Sequence, residues 1–166
     1  MITLVLGGAR SGKSAVAEAR AAAVAGDGQV TYVATAVDRG DDDFARRIRV
    51  HQERRPSSWH TIEAGGNLAE ALASVDDGVV LVDSLGTWLG AEARTDGDIE
   101  RLVSTLLAST RPIIVVSEEV GMGVHPSSEL GRRFRDALGR INQAVAAVAD
   151  EVVLVVAGRV LPLERP

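Results

Sequence analysis

Residues 7–14, GGARSGKS, carry the pattern G-x-x-x-x-G-K-[ST] in full, between the apolar run ITLVL (2–6) and an alanine-rich segment. These residue types at this spacing suit a phosphate-binding loop. Gly7, Gly8 and Gly12 open backbone angles closed to other residues, so consecutive N–H groups can turn inward onto phosphate oxygens. The positive end of the helix that follows adds to the attraction. Lys13 reaches the β- and γ-phosphates, and the Ser14 hydroxyl can ligate Mg²⁺. The chain has seventeen arginines and one lysine, and that lysine is Lys13. Arginine's planar fork does not replace a compact ammonium in such a cradle, so a lysine kept here supports phosphate binding. Asp83 ends the apolar run VVLVD (79–83), the arrangement of a second acidic motif that holds Mg²⁺ beside a phosphate loop. The ligand indicated is a nucleoside triphosphate with Mg²⁺.

A second constellation is RRIRVHQERRP (46–56), which sets His51 among Arg46, Arg47, Arg49, Arg54 and Arg55. On a helix from about 41 to 54, begun by Asp41, Asp42 and Asp43, the residues Phe44, Ile48 and His51 share one face. His51 then turns towards the domain body, either as a histidine that meets phosphate or as a core histidine satisfied by a backbone carbonyl. The spacing leaves both open. His60 and His125 have no comparable surroundings, and no histidine pair has metal-site spacing.

The elements that must position these residues read as alternating strands and helices. Strands are expected at 2–6, 30–35, 59–63, 79–85, 112–118 and 151–158. Helices are expected at 15–25, 41–54, 67–75 and 128–148, the last from apolar residues at Leu130, Phe134, Leu138, Ile141, Val145 and Val148. The tail VLPLERP (160–166) suggests a hairpin arm or edge extension. Near-continuous β-branched runs alternating with helices imply a mostly parallel α/β sheet covered on both faces, as one domain over 1–166.

Composition narrows the classes. A net charge of −5 argues against general nucleic-acid binding. No apolar run reaches the roughly 18–20 residues needed to cross a bilayer. No basic leader precedes ITLVL, so no signal peptide is read and a cytoplasmic location is expected. The absence of cysteine excludes disulfides and thiolate metal sites. A guanine-reading Asn-Lys-x-Asp motif is excluded because the one lysine lies in the loop. A small-molecule kinase or nucleotidyltransferase remains, with a nucleotide-sensing regulatory protein as the alternative outside enzymes.

Six segments in order carry a resemblance across nearly the whole chain: GGARSGKS (7–14), YVATA (32–36), RIRVHQERRPSSWHTIE (47–63), LVDSLGTWL (81–89), EVGMGVHP (119–126) and GRRFRDALGRINQAVAAVADEVVLVVAG (131–158). Together they resemble the bifunctional adenosylcobinamide kinase / adenosylcobinamide-phosphate guanylyltransferase family of cobalamin biosynthesis. The resemblance implies a three-layer, RecA-like P-loop NTPase fold and a homotrimer. It implies that adenosylcobinamide is phosphorylated by ATP or GTP and then receives GMP from GTP, with His51 as covalent GMP carrier and Lys13 as the second catalytic residue. The implied nucleotide contacts are Gly7, Gly8, Ala9, Arg10, Ser11, Gly12, Lys13 and Ser14 in the loop. Further contacts are Ala34, Thr35 and Ala36, then Gln52, Glu53, Arg54 and Arg55, with Glu63 and Asp83; Ser14 and Asp83 are the implied Mg²⁺ ligands. Two positions and the tail VLPLERP, which lacks the family's usual ending, depart from the family's pattern. Glu118 stands where asparagine is common before Glu-Val-Gly, and Gly86 where a small polar residue is usual. A P-loop small-molecule kinase without guanylyl transfer is the alternative enzyme.

Overall fold

The computed structural model describes residues 1–36, 56–91 and 94–165. The elements run β1 (Ile2–Gly7), α1 (Lys13–Ala25), β2 (Val30–Ala34), β3 (His60–Glu63), α2 (Leu68–Ala73), β4 (Val79–Asp83), α3 (Leu85–Ala91), α4 (Asp96–Ala108), β5 (Ile113–Glu118), α5 (Glu129–Val148), β6 (Glu151–Val156) and β7 (Arg159–Pro162). The strands form a sheet in the order β3-β2-β4-β5-β1-β6-β7. Every pairing is parallel except the β6–β7 hairpin. The tail therefore forms the hairpin arm its sequence suggests, and the helix expected at 41–54 lies outside the described residues.

Both faces of the sheet are apolar, which is why its strands read as unbroken β-branched runs rather than alternating ones. Val5, Tyr32, Leu81, Ile114, Val116 and Val153 face α1, which presents only Ala17 and Ala21 as fully buried residues. Small side chains let that helix approach the sheet closely. On the other face Leu4, Val33, Val80, Val82, Ile113 and Val115 pack under α2 to α5, against Leu72, Trp88, Leu102, Leu106, Leu138 and Ile141.

Two helices escape the sequence reading. Strand β4 stops at Asp83 rather than continuing to 85, and Leu85 instead opens α3, packing inward with Trp88 and Leu89. Helix α4 begins with a reciprocal cap: the Thr95 hydroxyl accepts from the Asp98 N–H, and the Thr95 N–H donates to the Asp98 carboxylate at 2.8 Å. The spacing T-x-x-D before Ile99, Leu102 and Leu106 is the signal that marks it. Thr95 holds the exposed Asp98 carboxyl below its ordinary range, its backbone N–H contributing most and its hydroxyl next. With the folded value depressed, this cap contributes above the ordinary carboxylate range and is lost as pH falls through the lowered value.

Candidate functional site: a phosphate loop and its carboxylate

Register places the chemistry at one edge. Gly7 ends β1 opposite Glu118, the last residue of β5. Asp83 ends β4 opposite Ala34 of β2, and Ala34 in turn faces Glu63 at the end of β3. Ligands of open parallel sheets sit beyond the carboxyl ends of the strands. The phosphate loop, Ala34 to Ala36, Glu63, Asp83 and Glu118 all lie at that edge.

The loop from Gly7 leads directly into α1. Of its three glycines, only Gly12 has a positive φ, 93°, and it lies where a side chain would also press on Gly158. Gly7 is required for space instead, since a Cβ there would overlap Ser11 Oγ and approach the Val155 carbonyl to 2.9 Å. Arg10 takes the other positive φ in the loop, 56°, a conformation uncommon for a side-chain-bearing residue. Internal bonds fix this shape: Ser11 N donates to Gly8 O at 3.3 Å, and Gly158 N, from the β6–β7 turn, donates to Ser11 O at 2.8 Å. Helix α1 has no side-chain cap and no acidic residue in its first turn. The Lys13 N–H donates to Ser11 Oγ at 3.3 Å, and the helix's positive dipole end faces the loop with no acid in its own first turn.

The Lys13 side chain is only 12% exposed. Its ammonium donates to Gly8 O at 3.4 Å and forms an ion pair with Glu118 Oε1 at 3.5 Å. The Glu118 carboxylate also accepts from Ser84 Oγ, at 2.9 and 3.1 Å, and from Gly86 N at 3.0 Å. Its backbone is held as well, because Asn142 Nδ2 of α5 donates to Glu118 O at 3.0 Å while Ser117 Oγ donates to Asn142 Oδ1 at 2.6 Å.

Glu118 and Gly86, the two departures from the family's usual residues, are thus one contact. A methyl group at position 86 would overlap Glu118 Oε2. Gly86→Ala is expected to destabilise the protein by about 1–3 kcal/mol, the usual range for overpacking a filled space. In a Glu118→Ala background the same change should cost clearly less. Denaturant unfolding of the two single variants and the double variant reads that coupling.

Asp83 accepts a hydrogen bond from the buried Tyr32 hydroxyl at 2.9 Å. The Thr35 side chain is fully buried, and its hydroxyl binds the turn after β4: it donates to Ser84 O at 2.6 Å, accepts from Ser84 N at 2.9 Å, and lies 2.5 Å from Thr87 Oγ1. That hydroxyl braces the loop that carries Ser84. Glu63 is exposed at the edge of the sheet and Ser14 is half-buried. His51, Gln52, Glu53, Arg54 and Arg55 lie outside the described residues.

A cation site built by protein alone is not assembled among the described residues, which contain no cluster of three or more histidine or acidic groups suited to a metal. One hydroxyl, from Ser14, and one carboxylate, from Asp83, instead suit a hard cation that takes its remaining oxygens from phosphates and water. No helix among the described residues is long and apolar enough to cross a membrane.

A family model described as cobinamide kinase / cobinamide phosphate guanyltransferase matches residues 3–163. The bifunctional adenosylcobalamin biosynthesis protein CobP of Pseudomonas aeruginosa is 43% identical, over 99% of this chain and 98% of its own length. The similarly named CobU of Salmonella typhimurium is 38% identical, over 95% of this chain and 97% of its own length. Among solved structures, the flagellar accessory protein FlaH from Methanocaldococcus jannaschii is 14% identical with a TM-score of 0.52, covering 96% of this chain and 74% of that one. A prototypical ATPase from the type III secretion system of pathogenic bacteria is 11% identical with a TM-score of 0.53, covering 92% of this chain and 50% of that one. At such identities these two likenesses speak for the fold alone, and that fold is the RecA-like P-loop NTPase architecture.

Proposed function

The chain belongs to the cobinamide kinase / cobinamide phosphate guanyltransferase family, and we propose on that premise that one triphosphate site serves two transfers. In the first, the hydroxyl oxygen of adenosylcobinamide's aminopropanol arm attacks the γ-phosphorus of ATP or GTP. The bond to the β–γ bridging oxygen breaks and nucleoside diphosphate leaves. In the second, a His51 nitrogen attacks the α-phosphorus of GTP and pyrophosphate leaves, so that GMP is carried on His51. The phosphate of adenosylcobinamide phosphate then displaces His51, giving adenosylcobinamide-GDP.

The observation that carries this reading is the chain's single lysine, held over a loop whose helix start has no side-chain cap and no acid. A loop that grips the β- and γ-phosphates leaves the α-phosphorus directed outward, where a histidine can reach it. Unperturbed imidazole titrates near pH 6.5, so much of it is neutral and nucleophilic around pH 7. Arg54 and Arg55 would favour that neutral form and balance phosphate charge as it develops. Ser14 and Asp83 would hold Mg²⁺, which neutralises phosphate oxygens when bound. Ala34, Thr35, Ala36, Gln52, Glu53 and Glu63 are proposed to complete the nucleotide site. A homotrimer is proposed as the working assembly, supported by Val156, Val160, Leu161 and Leu163, left exposed on and beside the hairpin. The cytoplasm is the proposed setting, because it supplies both triphosphates.

Incubation of the purified protein with adenosylcobinamide and each triphosphate in turn tests the proposal. Adenosylcobinamide phosphate is expected with ATP or GTP, and adenosylcobinamide-GDP with pyrophosphate only when GTP is present. Phosphorylation without any GDP adduct would identify a kinase alone. No product with either triphosphate would favour a nucleotide sensor.

A further inference from the structure

We propose that Glu118 is a positioning residue for Lys13, holding its ammonium at the mouth of the phosphate loop and competing for it with the terminal phosphates of the bound triphosphate. The inference rests on the assignment of the loop to a triphosphate and goes beyond it, because that assignment gives Glu118 no part.

Four observations converge on this carboxylate. It forms an ion pair with the Lys13 ammonium at 3.5 Å, and both side chains are largely buried, at 26% and 12% exposure. Ser84 Oγ donates to the same oxygen that pairs with Lys13, Gly86 N donates to the other, and Asn142 clamps the backbone that carries the carboxylate. The space it fills is open only because residue 86 has no side chain. Its register partner is Gly7, the first residue of the phosphate loop. The carboxylate is therefore built into place rather than swept there by a flexible side chain.

The consequence is electrostatic. A phosphate oxygen that bonds the same ammonium at about 2.8 Å comes within roughly 6 Å of the carboxylate, in a partly buried site where charges act strongly on each other. Lys13 must then serve two anions. Removing the carboxylate's charge frees the lysine for the phosphates and removes a repulsion, and both effects grow with the number of phosphates held. Glu118→Gln removes that charge while the amide oxygen still accepts from Gly86 N and the amide group still meets Ser84 Oγ.

The test is calorimetric titration, with Mg²⁺, of a non-hydrolysable GTP analogue and of GDP into the wild-type chain and Glu118→Gln. The variant is expected to bind the analogue roughly tenfold tighter, the size of a single pairwise coupling. GDP affinity should change clearly less. In steady-state kinase assays the KM for triphosphate should fall by a larger factor than any change in kcat. Should Glu118→Gln fail to fold, Glu118→Ala in the same titration is expected to move affinity in the same direction. Unchanged or weaker binding of the analogue overturns the proposal, as does a fall in kcat without tighter binding, which would place the carboxylate at the reacting atoms. Failure of the wild-type chain to bind the analogue would overturn the phosphate-loop assignment itself, and the proposal with it.

Discussion

Lys13→Ala is expected to lose both transfers. Phosphorylation of adenosylcobinamide should fall by about 10²–10³-fold, the usual effect of removing one fixed charge-stabilising donor from a reacting site. Guanylylation of the protein by α-labelled GTP should fall with it, because the same ammonium is proposed to orient the β- and γ-phosphates in both reactions. Lys13→Arg is expected to rescue neither. The ammonium sits between Gly8 O and Glu118 Oε1 at 12% exposure, a space that fits a point charge better than a planar fork. Lys13→Ala also leaves Glu118 bonded by Ser84 and Gly86 but without its cation, so unfolding should be measured beside activity. A normal phosphorylation rate in a folded Lys13→Ala protein would remove the loop from the kinase step.

His51→Ala is expected to separate the two reactions. Acid-labile label from α-labelled GTP should disappear, and formation of adenosylcobinamide-GDP should drop by at least about 10³-fold, as for loss of a covalent nucleophile. Phosphorylation should persist, because that step transfers the γ-phosphoryl directly to the substrate hydroxyl. A label that survives in His51→Ala, mapped to another residue, would move the nucleophile elsewhere. The contrast with Lys13→Ala is diagnostic: one variant silences both steps and the other silences the second alone.

The loop was legible in the sequence because its physics is local. A strand, a glycine turn, a lysine and a helix start lie within thirteen residues, and Lys13 and Ser14 stand in the structure where the pattern puts them. Asp83 was legible as the end of an apolar run for the same reason. The sheet's two apolar faces were legible as continuous β-branched runs. Glu118 was not legible as a partner of Lys13, since the contact exists only after β5 pairs with β1. Thr35 was expected, with Ala34 and Ala36, as a nucleotide contact, and its hydroxyl bonds Ser84 and Thr87 across the sheet edge. Asn142 was hidden in the apolar stripe of α5, and its buried polar group between Ile141 and Val145 was the one sign that it holds something. Helix α3 was masked because its first residue, Leu85, follows so soon after Asp83 that it read as the end of the strand. Helix α4 carried its signal in Thr95 and Asp98, a cap rather than a pattern of apolar residues.

The β1 pairings carry a consequence in time. Ile2 pairs with Ile113, Thr3 pairs with Glu151, and the Gly158 amide then closes on Ser11. The strand that leads into the phosphate loop is made early, yet both its neighbours and the turn that seals the loop are made late. On a ribosome, β1 waits unpaired while well over a hundred residues are added, and such long-range parallel pairing is slow and leaves strand edges open to wrong partners. The loop can take its final shape only when the last hairpin has emerged. Nucleotide binding should therefore appear as one of the last events of folding, and it reports that the whole sheet has closed.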